Sequence, residues 1–123
     1  SAVATMQFSR NLYATMIVAV FGALVLVGVC HTDLGDSFEA ASGYYAAPWQ
    51  WDAIRGNQQW VAIYNSTDDP HIPIAEARFV AKQLRCSYFE FRDRGHFVDQ
   101  RQFPEIADFI RRKLIIKPAT GYD

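Results

Sequence analysis

The sequence predicts an α/β protein, a parallel sheet with flanking helices, and three observations carry that expectation. Runs dense in Val, Leu and Ile recur at 23–29 (ALVLVGV) and 60–64 (WVAIY), and the aromatic-rich CSYFEF follows at 86–91. Unbroken apolar runs of this length suit strands buried on both faces. Between and after them stand stretches whose apolar residues fall three and four apart, the spacing of a helix with one buried face. Strands alternating with helices of this length imply βα units with right-handed crossovers.

In chain order, residues 2–13 mix Ala, Met, Gln, Phe and Arg with apolar positions at helical spacing, which predicts a first helix. The strand at 23–29 leads into HTDLGDSFEAASGYY, where Asp33, Gly35, Asp36, Ser42 and Gly43 interrupt both regular periods. A long loop with room for one helical turn is expected there. Pro48 suits the first turn of a short helix over 48–57, because a proline there loses no needed donor, and Gly56 or Asn57 can end it in a left-handed conformation. The strand 60–64 is followed by a loop over 65–73 (NSTDDPHIP), whose prolines and aspartates exclude continued ladder pairing. The helix IAEARFVAKQLR then places Ile74, Ala77, Val80, Ala81 and Leu84 on one stripe. After the strand 86–91 comes the loop RDRGH, then a last helix over 104–114 and a tail expected to fray.

Composition bounds the partners. Half of the 123 residues are hydrophobic, enough for one compact core, so 1–123 reads as a single domain or part of one. The net charge of -1 and a pI near 6.3 give no basic surplus for phosphate backbones, so nucleic acid is not an expected partner. Two cysteines, Cys30 and Cys86, stand far apart in apolar surroundings, which favours a reducing, cytoplasmic setting over a disulfide scaffold. The chain opens at Ser1, without an initiator Met or a secretory leader, and is expected to be a fragment. Residues 12–30 carry no charged side chain and reach the length of a membrane span. Gly22 interrupts that run and its second half is strand-like, so membrane association through 12–29 is kept as the lesser alternative.

In an open parallel sheet, ligands bind beyond the carboxyl ends of the strands, so the loops that follow strands hold the candidates. The loop after WVAIY offers Asp68 and Asp69, and the loop after CSYFEF offers His96 behind Gly95. Neighbouring strands lie about 4.8 Å apart, so paired strands would bring a carboxylate and an imidazole within hydrogen-bonding reach. Such a carboxylate fixes the histidine tautomer while the other ring nitrogen takes a proton from a nucleophile. An acid that precedes its histidine in the chain matches the α/β-hydrolase order of Ser, Asp, His.

The linked motifs HTDLGD, ASGYY, PWQW, STDDP and GHF, in this order, resemble the serine hydrolases of the retinoblastoma-binding protein 9 and YdeN type over about residues 23–114. The resemblance implies a partial α/β-hydrolase fold and a Ser, Asp, His triad, with Asp69 of STDDP as the acid and His96 of GHF as the base. It makes Asp68 a neighbour. It also implies a nucleophile elbow ahead of Ser1, because SAVATMQF resembles the helix that follows that elbow. The N-terminal strands and the elbow are then missing from the chain. SRNLYATMIVAVFG, over 9–22, is longer and more apolar than the family's turn and reads as an insertion.

Other residues weigh less. Trp49, Trp51 and Phe97, with Tyr44 and Tyr45, are candidates to line a substrate pocket, core packing being the equal alternative. His31 and His71 lack a clustered third ligand, so no metal site is expected, and no cofactor is implied. Ser66 lacks the flanking glycines of an elbow, and nothing positions Ser1 beside His96. Cys86 reads as a buried small hydrophobe. The leading expectation is hydrolysis of a small ester or amide. The alternatives are a catalytically inactive binding or regulatory form, with a protein as its partner, and the membrane-associated fragment.

Overall fold

The computed structural model describes residues 5–7, 16–20, 23–99 and 101–115, with side chains for 23–99 and 101–113. Five strands form one sheet in the order β1 (Thr5–Gln7), β2 (Met16–Val20), β3 (Ala23–Val27), β4 (Trp60–Ser66) and β5 (Ser87–Phe91). Four helices complete the described elements: α1 (Ser37–Ala41), α2 (Trp51–Asn57), α3 (Ile74–Leu84) and α4 (Pro104–Ile115). Strands β3, β4 and β5 run parallel, with Val25 beside Ala62 and Tyr64 beside Phe89.

Strand β3 is apolar at every position, and β4 from Trp60 to Tyr64, because both sheet faces are covered there. Successive side chains point to opposite faces. Val25, Val27, Ala62 and Tyr64 therefore pack with Ile106 and Phe109 of α4, while Leu26 and Ile63 pack with Ala77, Val80 and Leu84 of α3. Burying each side chain of Leu or Ile size contributes roughly 1.5–3 kcal/mol. Ile74 and Ala81 of the anticipated stripe are partly buried against the same layer.

Three expectations need correction, and the 9–22 insertion, for which none was set, gains a strand. Residues 5–7 form strand β1, paired antiparallel with β2, and not part of a helix; the rest of 2–13 lies outside the described residues. Ladder bonds to the next strand, which helical spacing does not register, decide that conformation. The 9–22 insertion contributes β2, which pairs antiparallel with β3 and sets Val20 opposite Ala23. The short helix begins at Trp51 with Gln50 at its N-cap, so Pro48 lies in the preceding loop. Strand β4 runs two residues past Tyr64, because Asn65 and Ser66 are fully buried and satisfy their polar groups within the protein.

Helix α3 ends at Arg85, which takes the left-handed conformation (φ 51°) and donates its N–H to the Ala81 carbonyl. Among the described residues no helix is long and apolar enough to cross a membrane.

Candidate active site

Because β4 and β5 are parallel neighbours paired as far as Ser66 and Phe91, their following loops leave the sheet at the same end. Asp69 sits in the first loop and His96 in the second. The Asp69 Oδ1 accepts the N–H groups of His71 (2.8 Å) and Ile72 (2.9 Å), a local turn that aims the carboxylate. Its Oδ2 lies 2.7 Å from His96 Nδ1. The side chains are 0% and 5% exposed, respectively. Burial works to raise the Asp69 carboxyl, but the hydrogen bonds from His96, Ile72 and His71 outweigh it and hold the group below the usual carboxylate range. An ionised Asp69 accepts the Nδ1–H of His96, which leaves Nε2 as the ring nitrogen able to take a proton.

The His96 imidazole is held from several directions. Gly95 and Phe97, on either side of His96, both take left-handed backbone conformations (φ 52° and 60°). Phe97 pins the downstream side by stacking on Phe103 (5.3 Å) within the α4 layer. Beneath the imidazole, Gly28 ends β3 at φ 66°, and a Cβ there would stand 3.0 Å from His96 Cε1. Gly28 also inverts the strand's alternation: Val27 packs in the α4 layer and Val29 in the α3 layer. Beyond it, the buried Asn65 side chain continues the pairing: its Oδ1 accepts from Val29 N (3.2 Å) and its Nδ2 donates to Val29 O (3.5 Å). The His71 ring stands edge-on to His96 at 5.4 Å.

Sequence reasoning missed the ties between the two loops. Ser66 Oγ donates to Asp68 Oδ1 (2.5 Å) and accepts from Arg94 N (3.1 Å), while Gly95 N donates to the same Asp68 oxygen (2.9 Å). The signal available was a serine two residues before an aspartate at a strand end, which reads equally well as an ordinary turn.

The aromatic candidates divide. Phe97 is 8% exposed and belongs to the core beside Val25 and Tyr64, which is the packing alternative. Trp49 and Trp51 are half-buried against the α3 layer, with ring centroids 5.5 Å apart. Trp49 lines a cleft of about 380 Å³ with Leu24, Leu26, Ile54 and Leu84, and neither Asp69 nor His96 reaches it. Trp51 meets Phe79 and His31 instead. Tyr44 is exposed, and the Tyr45 hydroxyl lies 3.4 Å from Cys30 Sγ. Glu76 Oε1 accepts the N–H groups of His31 and Thr32, which ties the loop after β3 to α3. Among the described residues no group of three or more His, Cys, Asp or Glu is placed to hold a metal ion.

A parallel β3–β4–β5 sheet between helical layers, with an acid–imidazole pair at adjacent strand ends, places the chain in a class: it has part of an α/β-hydrolase fold. The crystal structure of the ydeN gene product from B. subtilis matches with a TM-score of 0.65 at 18% identity, over 73% of this chain and 50% of that one. The chain is a relative of the serine hydrolases of the RBBP9 and YdeN type. It is 41% identical over 92 residues to the serine hydrolase RBBP9 of Rattus norvegicus, covering 75% of this chain and 49% of the rat protein. The chain thus spans about half the length of the curated relative it matches. No family model matches it.

Proposed function

We propose that this chain supplies the acid and base of a serine hydrolase, with Asp69 orienting His96 and the Nε2 of His96 taking the proton of a serine hydroxyl. The buried 2.7 Å contact between Asp69 and His96 carries this reading. A carboxylate on Nδ1 fixes the tautomer and stabilises the imidazolium formed as the serine attacks an ester or amide carbonyl. The 123 residues contain no Gly-x-Ser-x-Gly elbow, and in this reading the serine is supplied to His96 by another segment. Ser66 does not substitute for it, because its hydroxyl is engaged with Asp68 and Arg94. A small ester or amide is the substrate class, and two free cysteines support a reducing, cytoplasmic compartment.

The test is a chimera in which an elbow-bearing segment of the rat hydrolase precedes this chain. Fluorophosphonate is expected to label the chimera, and His96→Ala to slow labelling by about a hundredfold or more. Labelling that continues unchanged in His96→Ala overturns the assignment.

The missing elbow motif favours a second reading, a binding or regulatory form that does no hydrolysis. His96-dependent hydrolysis of p-nitrophenyl esters by the 123-residue chain would eliminate it.

A further inference from the structure

The two loops that carry the acid and the base are anchored differently. Asp69 is aimed by amides of its own loop, two and three residues on. His96 lies on a loop whose upstream backbone is held from β4: Arg94 N donates to Ser66 Oγ and Gly95 N donates to Asp68 Oδ1. Ser66 is fully buried and joins the two by donating to that same Asp68 oxygen. Phe97 fixes the downstream side in the core, so Gly95 is the residue about which His96 would swing.

We propose that Asp68 is a positioning residue for the acid–base pair: with Ser66 it clamps the backbone of Arg94 and Gly95, so that the His96 imidazole meets the Asp69 carboxylate. The proposal rests on the reading of Asp69 and His96 given above. Hydrogen bonds from Ser66 and then Gly95 hold the Asp68 carboxyl below its ordinary range, as expected of an acceptor engaged while ionised. Asp68 acts through the backbone of Arg94 and Gly95 and does no proton transfer. Its part is to keep the neighbouring loop from rotating.

Nitrogen and proton NMR of the His96 ring in the 123-residue chain tests the clamp without relying on catalysis. In the unsubstituted chain the Nδ1–H tautomer should dominate and its proton should exchange slowly. Asp68→Ala should speed that exchange by about tenfold or more, the effect of losing hydrogen bonds to a charged acceptor, and should populate the Nε2–H tautomer. Asp68→Asn keeps an oxygen able to accept from Gly95 and Ser66, so its exchange should stay within about twofold of the original.

Unchanged exchange and tautomer in Asp68→Ala overturn the clamp and leave the acid–base pair standing, as does an Asp68→Asn chain that behaves like Asp68→Ala. Absence of the Nδ1–H tautomer in the unsubstituted chain overturns the pair and the clamp together. A lowered melting temperature in Asp68→Ala with unaltered exchange at 25 °C assigns Asp68 a merely structural role and also overturns the proposal.

Discussion

The loop after β4 and the loop after β5 bring Asp69 and His96 to a shared hydrogen bond by opposite means. The acid loop is self-sufficient: Asp69 closes a turn with the amides of His71 and Ile72, and Pro70 and Pro73 restrict the backbone around it. The base loop depends on distant groups, namely Gly28 below the ring, Ser66 and Asp68 upstream and the Phe97 core contact downstream. The Asp69 carboxylate is thus placed by local chemistry, whereas the His96 imidazole is placed by tertiary structure. Damage far from the pair should therefore reach His96 and spare Asp69.

The largest effect should come from Asp69→Asn in the elbow-bearing chimera, where an amide keeps the local turn but no longer fixes the tautomer. Fluorophosphonate labelling should slow by about four orders of magnitude. A loss of less than about tenfold, measured with the fold intact by circular dichroism, would remove the acid from the mechanism.

Next in size is the contrast between the anchors. Phe97→Ala should cost about 3–5 kcal/mol in urea unfolding, as expected for an aromatic removed from a core. Pro70→Ala in the acid loop should cost under about 1 kcal/mol, chiefly through the unfolded chain. Equal costs would erase the distinction between the loops.

Gly28→Ala probes the floor beneath the base. Its φ of 66° and the 3.0 Å approach to His96 Cε1 force either the strand end or the ring to move. Labelling of the chimera should fall about tenfold, because the ring has to yield by less than the ~1 Å shift that costs about a hundredfold. Unaltered labelling would show that the ring does not rest on the strand end.

The smallest effect is titrational. The Asp69 carboxyl is held below its unfolded value, so it adds stability that is complete above about pH 4 and lost as the pH falls through the folded value. Glu90 follows the same sign: hydrogen bonds from Arg78 and then Tyr88 bring it to about 2, so its contribution fades as the pH falls from its ordinary range towards 2. Because this pair lies at the surface, Glu90→Gln should remove at most about 1 kcal/mol of that acid sensitivity. Asp69→Asn should remove more, and urea midpoints at pH 6 and pH 3 compare the two. A larger effect at Glu90 would reverse the ranking.

The sequence was informative where burial imposes a period. The three parallel strands and helices α3 and α4 fall close to where apolar runs and stripes place them, because both sheet faces are covered. The strand ends point to His96 and to Asp68 or Asp69, the resemblance selects Asp69 between the two, and the sheet order brings Asp69 and His96 together. Three other features were illegible for definite reasons. Strands β1 and β2 pair with their neighbours in sequence, and a short apolar run does not separate helix from strand. The Ser66–Asp68 ties exist only once two loops 27 and 28 residues apart have closed on each other. Phe97 turned out to face the core because a left-handed residue sets its direction, and spacing does not reveal the sign of φ.

Asn65 carries one more consequence. Its amide presents an acceptor and a donor to the two backbone groups of Val29, so it does the work of an absent strand residue with a side chain. Aspartate, the same shape, would set an anion against the Val29 carbonyl, and leucine would strand both groups without water. The crossing from sheet to loop beside the imidazole is therefore keyed to one chemical pattern, and changes in loop length near Gly28 are constrained by a residue 36 positions downstream of Val29.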